Sequence, residues 1–193
     1  MLNHIKAYSV KPYYLKNKMY IGVSGHRNLK QSQIDTYKQQ IKILLLKLIK
    51  DNLEKELIIL SALADGADRL VVEVAIELGL RYEVYLPMVS HLYKKDFSTT
   101  SLDEYRRLIR SALSAPKVIT LCDSCTEVNI AEYGKYRDRQ YLKLGKEIVD
   151  KSDMMVFLWD QKNARGLGGT ADIIFYAKQK DTSYIIIECE REI

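Results

Sequence analysis

A chain of 193 residues, 47% hydrophobic and 28% charged, is long enough to bury one α/β core and too short for two ordinary domains, which excludes disordered and fibrous classes. Thirty Lys and Arg against 25 Asp and Glu leave a formal charge of +5, with the lysines scattered among acids, so nucleic acid is not the expected partner and small anionic ligands fit the excess equally well. Lysine interrupts the later apolar runs before spanning length, and the opening stretch MLNHIKAYSVKPYYLKNK has no continuous apolar core; the expectation is a cytoplasmic protein without membrane contact.

Residues 1–18 read as an N-terminal extension and 19–193 as a single domain. MYIGVSG (19–25) is β-rich and ends in glycine, and Ile34, Tyr37, Ile41, Leu44, Leu45, Leu48 and Ile49 then recur at helical spacing. LIILSALA reads as a buried strand and DGADRLVVEVAIELG as a helix, with Asp65 as N-cap and Gly79 just past the end. YEVYLP is a strand stopped at Pro87, and the polar stretch MVSHLYKKDFSTTS after it is long enough to serve as a lid.

A helix near 102–114 leads to the strand KVITLC, a helix near 136–150 to DMMVFLWD, and GLGGTADIIFYAK (166–178) to SYIIIE. Strands alternating with helices, several of them continuous apolar runs, call for an α/β fold: a Rossmann-like three-layer sandwich with a mostly parallel central sheet. Cys122 and Cys125 form a CxxC without a second ligand pair at suitable spacing, and Cys189 stands alone, so no metal is expected. The fingerprints GxGxxG and GxxxxGK[ST] are both missing, and no cofactor is expected.

In a parallel sheet, ligands bind outside the carboxyl ends of the strands, which selects the loops SGHRN, SALADGAD, LPMVSHLYKKDF and LWDQKNARGLGGT. Ser24, Gly25, His26 and Arg27 offer a hydroxyl, close backbone approach, a titratable ring and a fixed cation; the bland alternative is a turn with surface side chains. Gly168, Gly169 and Thr170 open a helix with free N–H groups, which suits an anion seat or simple capping. Asp65, Gly66 and Asp68 stand at another helix start, where the acids serve either a ligand or the helix itself. Trp159 could stack on a base or belong to the core. Asp160 and Asp172 are the carboxylates available to accept from ribose, or to act as catalytic groups if the chain is an enzyme. Tyr133, Tyr136 and Tyr141 surround the RDR run at 137–139, an interleaving that suits base stacking or helix packing.

Taken together, IGVSGHR, SALADGADRLVVEVAIELG, YLPM…YKKDF and IVDKSDMMVFLWD…ARGLGGTADIIFYAK resemble the SLOG superfamily of Rossmann-like nucleotide-binding proteins, across roughly residues 19–188. That superfamily includes Lonely Guy phosphoribohydrolases, DNA-processing protein A and sensor domains for ADP-ribose and related nucleotides. The resemblance implies a nucleotide-derived ligand at the cleft, a homodimer, and a separate effector protein if the chain is a sensor. The run Gly166–Asp172 departs from the PGGxGTxxE of Lonely Guy enzymes: it lacks the proline and sets an aspartate one place early. SALADGADRL is similar to the glycine-containing loop of DNA-processing protein A, which binds single-stranded DNA. The leading expectation is a nucleotide-derivative sensor or accessory domain, in antiphage or stress signalling. Nucleotide N-glycosidic hydrolysis or transfer, and single-stranded DNA binding, are the alternatives.

Overall fold

The alternation of side chains along the central strands decides the layers. In β2 (Lys55–Ser61), Leu57 and Ile59 enter one core and Ile58 and Leu60 the other. In β5 (Met154–Trp159), Val156 and Leu158 oppose Met155 and Phe157 in the same way, and all of these side chains are buried. A strand that buries both faces has no polar alternation to show, which is why these segments read as continuous apolar runs. The computed structural model describes residues 17–164 and 166–192. It adds β1 (Asn17–Gly25), β3 (Arg81–Leu86), β4 (Lys117–Val118) and β6 (Ser183–Glu188) to one sheet of order β4-β3-β2-β1-β5-β6, every adjacent pair parallel.

Helices α1 (Ile34–Asp51) and α2 (Ala67–Glu77) cover one face through Tyr37, Ile41, Leu45, Val71 and Val74. On the other face lie α6 (Lys135–Lys151) and α7 (Thr170–Gln179), through Leu144, Ile148, Ile173 and Ala177. The short α3 (Ser90–Tyr93), α4 (Thr99–Ser111) and the short α5 (Glu127–Ile130) lie in the connections on either side of β4. The fold is the expected three-layer α/β sandwich. Its chain runs outward from β1 to β4, then returns through α6 to the far side of β1, so the strand order reverses between β1 and β5. At that point the loops leaving the two strands part in opposite directions and leave a crevice. No helix among the described residues is long and apolar enough to cross a membrane.

Several expectations need correction. The first strand begins at Asn17, and residues 1–16 of the anticipated extension lie outside the described residues. The stretch after Pro87 is no lid: Met88, Leu92, Tyr93 and Phe97 are buried, with the Tyr93 ring edge-on to Phe97 at 4.9 Å. Its lysines face outward and hid a helical apolar spacing. The strand KVITLC shrinks to two paired residues because the buried side chain of Gln140 takes over the backbone. Its Nε2 donates to the carbonyls of Pro87 (2.5 Å) and Thr120 (3.1 Å), while the Cys122 N–H donates to Oε1 (2.8 Å). Cys122 and Cys125 are joined by a disulfide in this connection.

At α2 the N-cap is Gly66, not Asp65. The C-terminus follows the expected pattern: Gly79 N–H donates to the Ile76 carbonyl (3.0 Å) and Leu80 N–H to Ala75 (2.9 Å), with Gly79 at φ +72. Gly66 has φ +76, and a Cβ there would collide with the carbonyl oxygens of His26 and Arg27. Gly66→Ala should therefore lower unfolding stability by more than about 2 kcal/mol in chemical denaturation, because strain and displacement of the 26–27 backbone add. An unchanged denaturation midpoint would remove this contact from the account.

Candidate functional site

The crevice between the ends of β1 and β5 is an open cavity of about 430 Å³, within the range of small-ligand sites. Ser24, Gly25, His26 and Arg27 line it from β1, Asp68 from α2, and Gly168, Gly169 and Thr170 from the start of α7. The strand-end loops chosen from the sequence thus do meet at one place.

The start of α7 presents unfilled donors. Asp172 and Ile173 N–H groups turn back to the Gly169 carbonyl (3.0 and 3.3 Å), which leaves the Thr170 and Ala171 N–H groups without an acceptor among the described residues. Thr170 is only 7% exposed, yet its hydroxyl caps nothing and bonds to no described residue. Exposed N–H groups and the helix dipole favour negative charge here. Gly168 has a different reason to be glycine: at φ +82 it sits against the α6 backbone at Asp138 and Leu142, where a Cβ would not fit. Asp172 points its Oδ2 to the Gly168 N–H (2.8 Å) and lines a separate, shallow pocket with Trp159, Ala164 and Phe175. Trp159 donates its Nε1 hydrogen to the Lys162 carbonyl (2.9 Å) in that same pocket. Neither Asp172 nor Trp159 lines the main cavity.

On β1, the Ser24 hydroxyl also makes no hydrogen bond among the described residues and faces the cavity. The His26 ring meets Asp160: Nε2 lies 2.8 Å from Oδ1, close enough to place its hydrogen toward the carboxylate rather than accept from the Asp160 N–H at 3.2 Å. The other oxygen of Asp160 accepts from Arg191, at 2.7 Å from Nε and 2.6 Å from Nη2, and Lys162 N–H donates to Oδ1 at 3.2 Å. Burial raises the Asp160 pKa, but His26, the Lys162 N–H and Arg191 outweigh it and hold it down at about 2. Asp160, expected as a ribose acceptor or catalytic group, has both oxygens engaged by His26, Lys162 and Arg191. Arg27 lies with its guanidinium 5.3 Å from the Tyr141 ring centroid and 3.6 Å from Asp96, and its side chain is 42% exposed. It is a fixed cation at the cavity wall.

The two acids of α2 divide. Asp65 does not line the cavity; it pairs with buried Arg69 (2.8 Å) and accepts from the Ser101 hydroxyl, an anchor between α2 and α4. Asp68 is 5% exposed and lines the cavity. Its Oδ2 accepts from Ala62 N–H (3.1 Å), Ala64 N–H (3.4 Å) and the Ser61 hydroxyl (3.5 Å), while Oδ1 has no donor among the described residues. Burial pushes its carboxyl up to about 6, against the opposing pull of the Ala64 and Ala62 N–H groups, Arg27 and Ser61.

The sequence reading missed the groups behind Arg27. Asp96 is a fully buried carboxylate that accepts from Arg137 (2.7 Å) and from the Tyr141 hydroxyl, and Arg137 also donates to the carbonyls of Ile130 (2.6 Å) and Leu92 (3.0 Å). Only the charged residue types in KKDF and RDR hinted at this; nothing local paired them across 41 residues.

Solved structures supply the comparison. DNA processing protein A (DprA) from Streptococcus pneumoniae superposes with a TM-score of 0.55 at 16% identity, covering 89% of this chain and 50% of that one. The chain shares the fold of part of DNA processing protein A. The protein of that name from Helicobacter pylori, described with a single-stranded DNA binding mode, gives a TM-score of 0.54 at 15% identity, covering 89% of this chain and 66% of that one. For the fold, this bears out the SLOG resemblance. The chain spans about half the length of the first DNA processing protein and 66% of the second. No protein-family profile matches the chain, and no curated protein matches it in sequence.

Asp160 and Asp68 should answer pH in opposite senses. Asp160, lowered in the folded state, contributes stability above its unfolded value near 4 that fades as pH falls toward 2. Asp160→Asn should therefore cost about 2 to 3 kcal/mol at pH 7 and progressively less in acid, read by urea titration. Asp68, raised in the folded state, contributes stability that is complete below about pH 4 and lost as pH rises through about 6. Asp68→Asn should accordingly stabilise the fold at pH 7.5, by up to about 3 kcal/mol, and change little near pH 3. Equal effects at both pH values would contradict the assigned environments.

Proposed function

We propose that the cavity binds a nucleotide-derived small molecule through its phosphate, as a sensor or accessory domain. One observation carries the reading. At the reversal of strand order, two N–H groups and the Thr170 hydroxyl, without partners among the described residues, share a cavity with the Ser24 hydroxyl, likewise without one, and the fixed charge of Arg27. Each is a donor or a cation, so an anion is the complementary occupant. Binding without cleavage is favoured because the carboxylates best suited by sequence to act at an anomeric carbon are engaged elsewhere: Asp160 with His26 and Arg191, Asp172 with Gly168. A second copy of the chain and a separate effector are the partners this reading expects, with the cytoplasm as its compartment.

Single-stranded DNA is the second reading, favoured by the shared fold with a DNA processing protein whose DNA-binding mode is described. Exposed Tyr133 at the cavity rim, its hydroxyl bonded to the Lys95 carbonyl (2.9 Å), offers one stacking surface for it.

Native mass spectrometry of the protein with AMP, NAD, ADP-ribose, the cyclic ADP-ribose isomers and a thymidine oligonucleotide distinguishes these. We expect one of the small nucleotides to be retained intact over hours, and Arg27→Ala to weaken it about ten-fold. Release of free base would turn the reading to N-glycosidic cleavage. Binding of the oligonucleotide alone, falling steeply with salt, would replace it with the DNA reading.

A further inference from the structure

We propose that Asp68 accepts a ribose hydroxyl of the bound nucleotide, so that the cavity selects ribonucleotides over their deoxy counterparts. The inference rests on the phosphate reading above and deepens it. Asp68 is almost wholly buried, and its two oxygens are used unequally. Ala62, Ala64 and Ser61 donate to Oδ2, which fixes the carboxyl group, while Oδ1 has no donor among the described residues and Asp68 lines the cavity. A carboxylate oxygen turned into a cavity repels phosphate and seeks hydroxyl or amine hydrogens. The cavity is therefore polarised. Donors gather at the start of α7, which follows β5; Asp68, one of three cavity aspartates with Asp96 and Asp138, stands at the start of α2, which follows β2.

β2 and β5 flank β1 on either side, roughly 10 Å apart at ordinary strand spacing. A ligand lying across the end of β1 thus meets an anion seat at one side and a hydroxyl acceptor at the other. A nucleoside monophosphate carries both groups on one rigid sugar. A hydrogen bond to a charged, buried acceptor discriminates strongly against a ligand that lacks the hydroxyl, because the acceptor is then left unpaired.

The test is isothermal titration of the full chain with AMP, 2′-deoxy-AMP and 3′-deoxy-AMP at pH 7.5, for the unaltered protein and for Asp68→Asn. Asparagine keeps an oxygen for the Ala62, Ala64 and Ser61 donors and turns the cavity-facing acceptor into a donor. At least one deoxynucleotide should bind the unaltered protein about ten-fold more weakly than AMP. In Asp68→Asn that preference should fall below about three-fold, a ratio that a merely structural role would leave unchanged. If AMP and both deoxynucleotides bind the unaltered protein within about two-fold of each other, the ribose assignment is overturned while the phosphate reading stands. A preference fully retained in Asp68→Asn also overturns it. If none of the three binds, the ribose assignment falls, and the phosphate reading is decided by the wider nucleotide set in native mass spectrometry. The comparison in the unaltered protein decides the matter even if the variant folds poorly.

Discussion

The backbone of His26 bonds to the end of β5 on one side and to the start of α2 on the other. Its N–H donates to the Leu158 carbonyl of β5 (3.2 Å), and its carbonyl accepts from the Ala67 N–H at the start of α2 (3.0 Å). A loop held from both sides cannot shift toward either, so the edge of the cavity is rigid where β1 enters it. The same loop is closed from below: Lys30 N–H donates to the Glu190 carbonyl (2.9 Å) and Glu192 N–H to Asn28 (3.0 Å), which delivers the Arg191 guanidinium to Asp160. The side chain of His26 then joins the same carboxylate. Gly66 is the permissive element in this arrangement, because any side chain there would push the 26–27 carbonyls away.

Three buried carboxylates surround this edge, and the donors around each decide what it can do. Asp160 has three groups on two oxygens and stays ionised far into acid. Asp96 has the Arg137 guanidinium, the Tyr141 hydroxyl and, at 3.6 Å, Arg27. A buried ion pair of this kind adds little net stability but is costly to break, so its effect is to fix geometry: it holds the segment around Tyr93 to α6 and gives Arg27 a defined wall to lie on. Among the described residues Asp68 has donors on one oxygen only, and none of them is a cation. That asymmetry, and not its place in the chain, separates Asp68 from Asp96, which lines the same cavity with both oxygens engaged.

The layers of this fold were legible because they depend on local pattern. Continuous apolar runs at 57–60 and 155–158, short and rich in branched residues, read as strands buried on both faces, and the spacing of Ile34 to Ile49 reads as one face of a helix. The carboxyl-end rule then placed four loops at one edge, and each contributes residues to the cavity wall, the third through Tyr93 and Asp96. What could not be read was which side chains of those loops turn inward. Asp65 and Asp68 are three residues apart at one helix start, yet Arg69 draws the first outward while the N–H groups of Ala62 and Ala64 hold the second at the cavity. His26 and Asp160 lie 134 residues apart, and Gln140 ends a strand across the sheet edge by side-chain bonds alone. Such pairings belong to tertiary geometry, for which a single sequence holds residue types but no register.

The fate of the aromatic and cationic run near the start of α6 bears on what the cavity holds. Read as a sequence, Tyr133 to Tyr141 with its arginines has the interleaving of a platform for an extended strand. In the fold that platform is dismantled. Arg137 is buried and spent on Ile130, Leu92 and Asp96; the Tyr141 hydroxyl is bonded to the same carboxylate; and the Tyr141 ring carries Arg27. Of the three tyrosines, Tyr133 alone remains largely exposed. A polymer needs a repeated set of stacking surfaces and phosphate contacts along an open path, whereas here the remaining donors converge on one concave volume at a single helix start. What the fold leaves at this edge is therefore one concave set of donors and not an open row of rings, in a fold shared with DNA processing protein A.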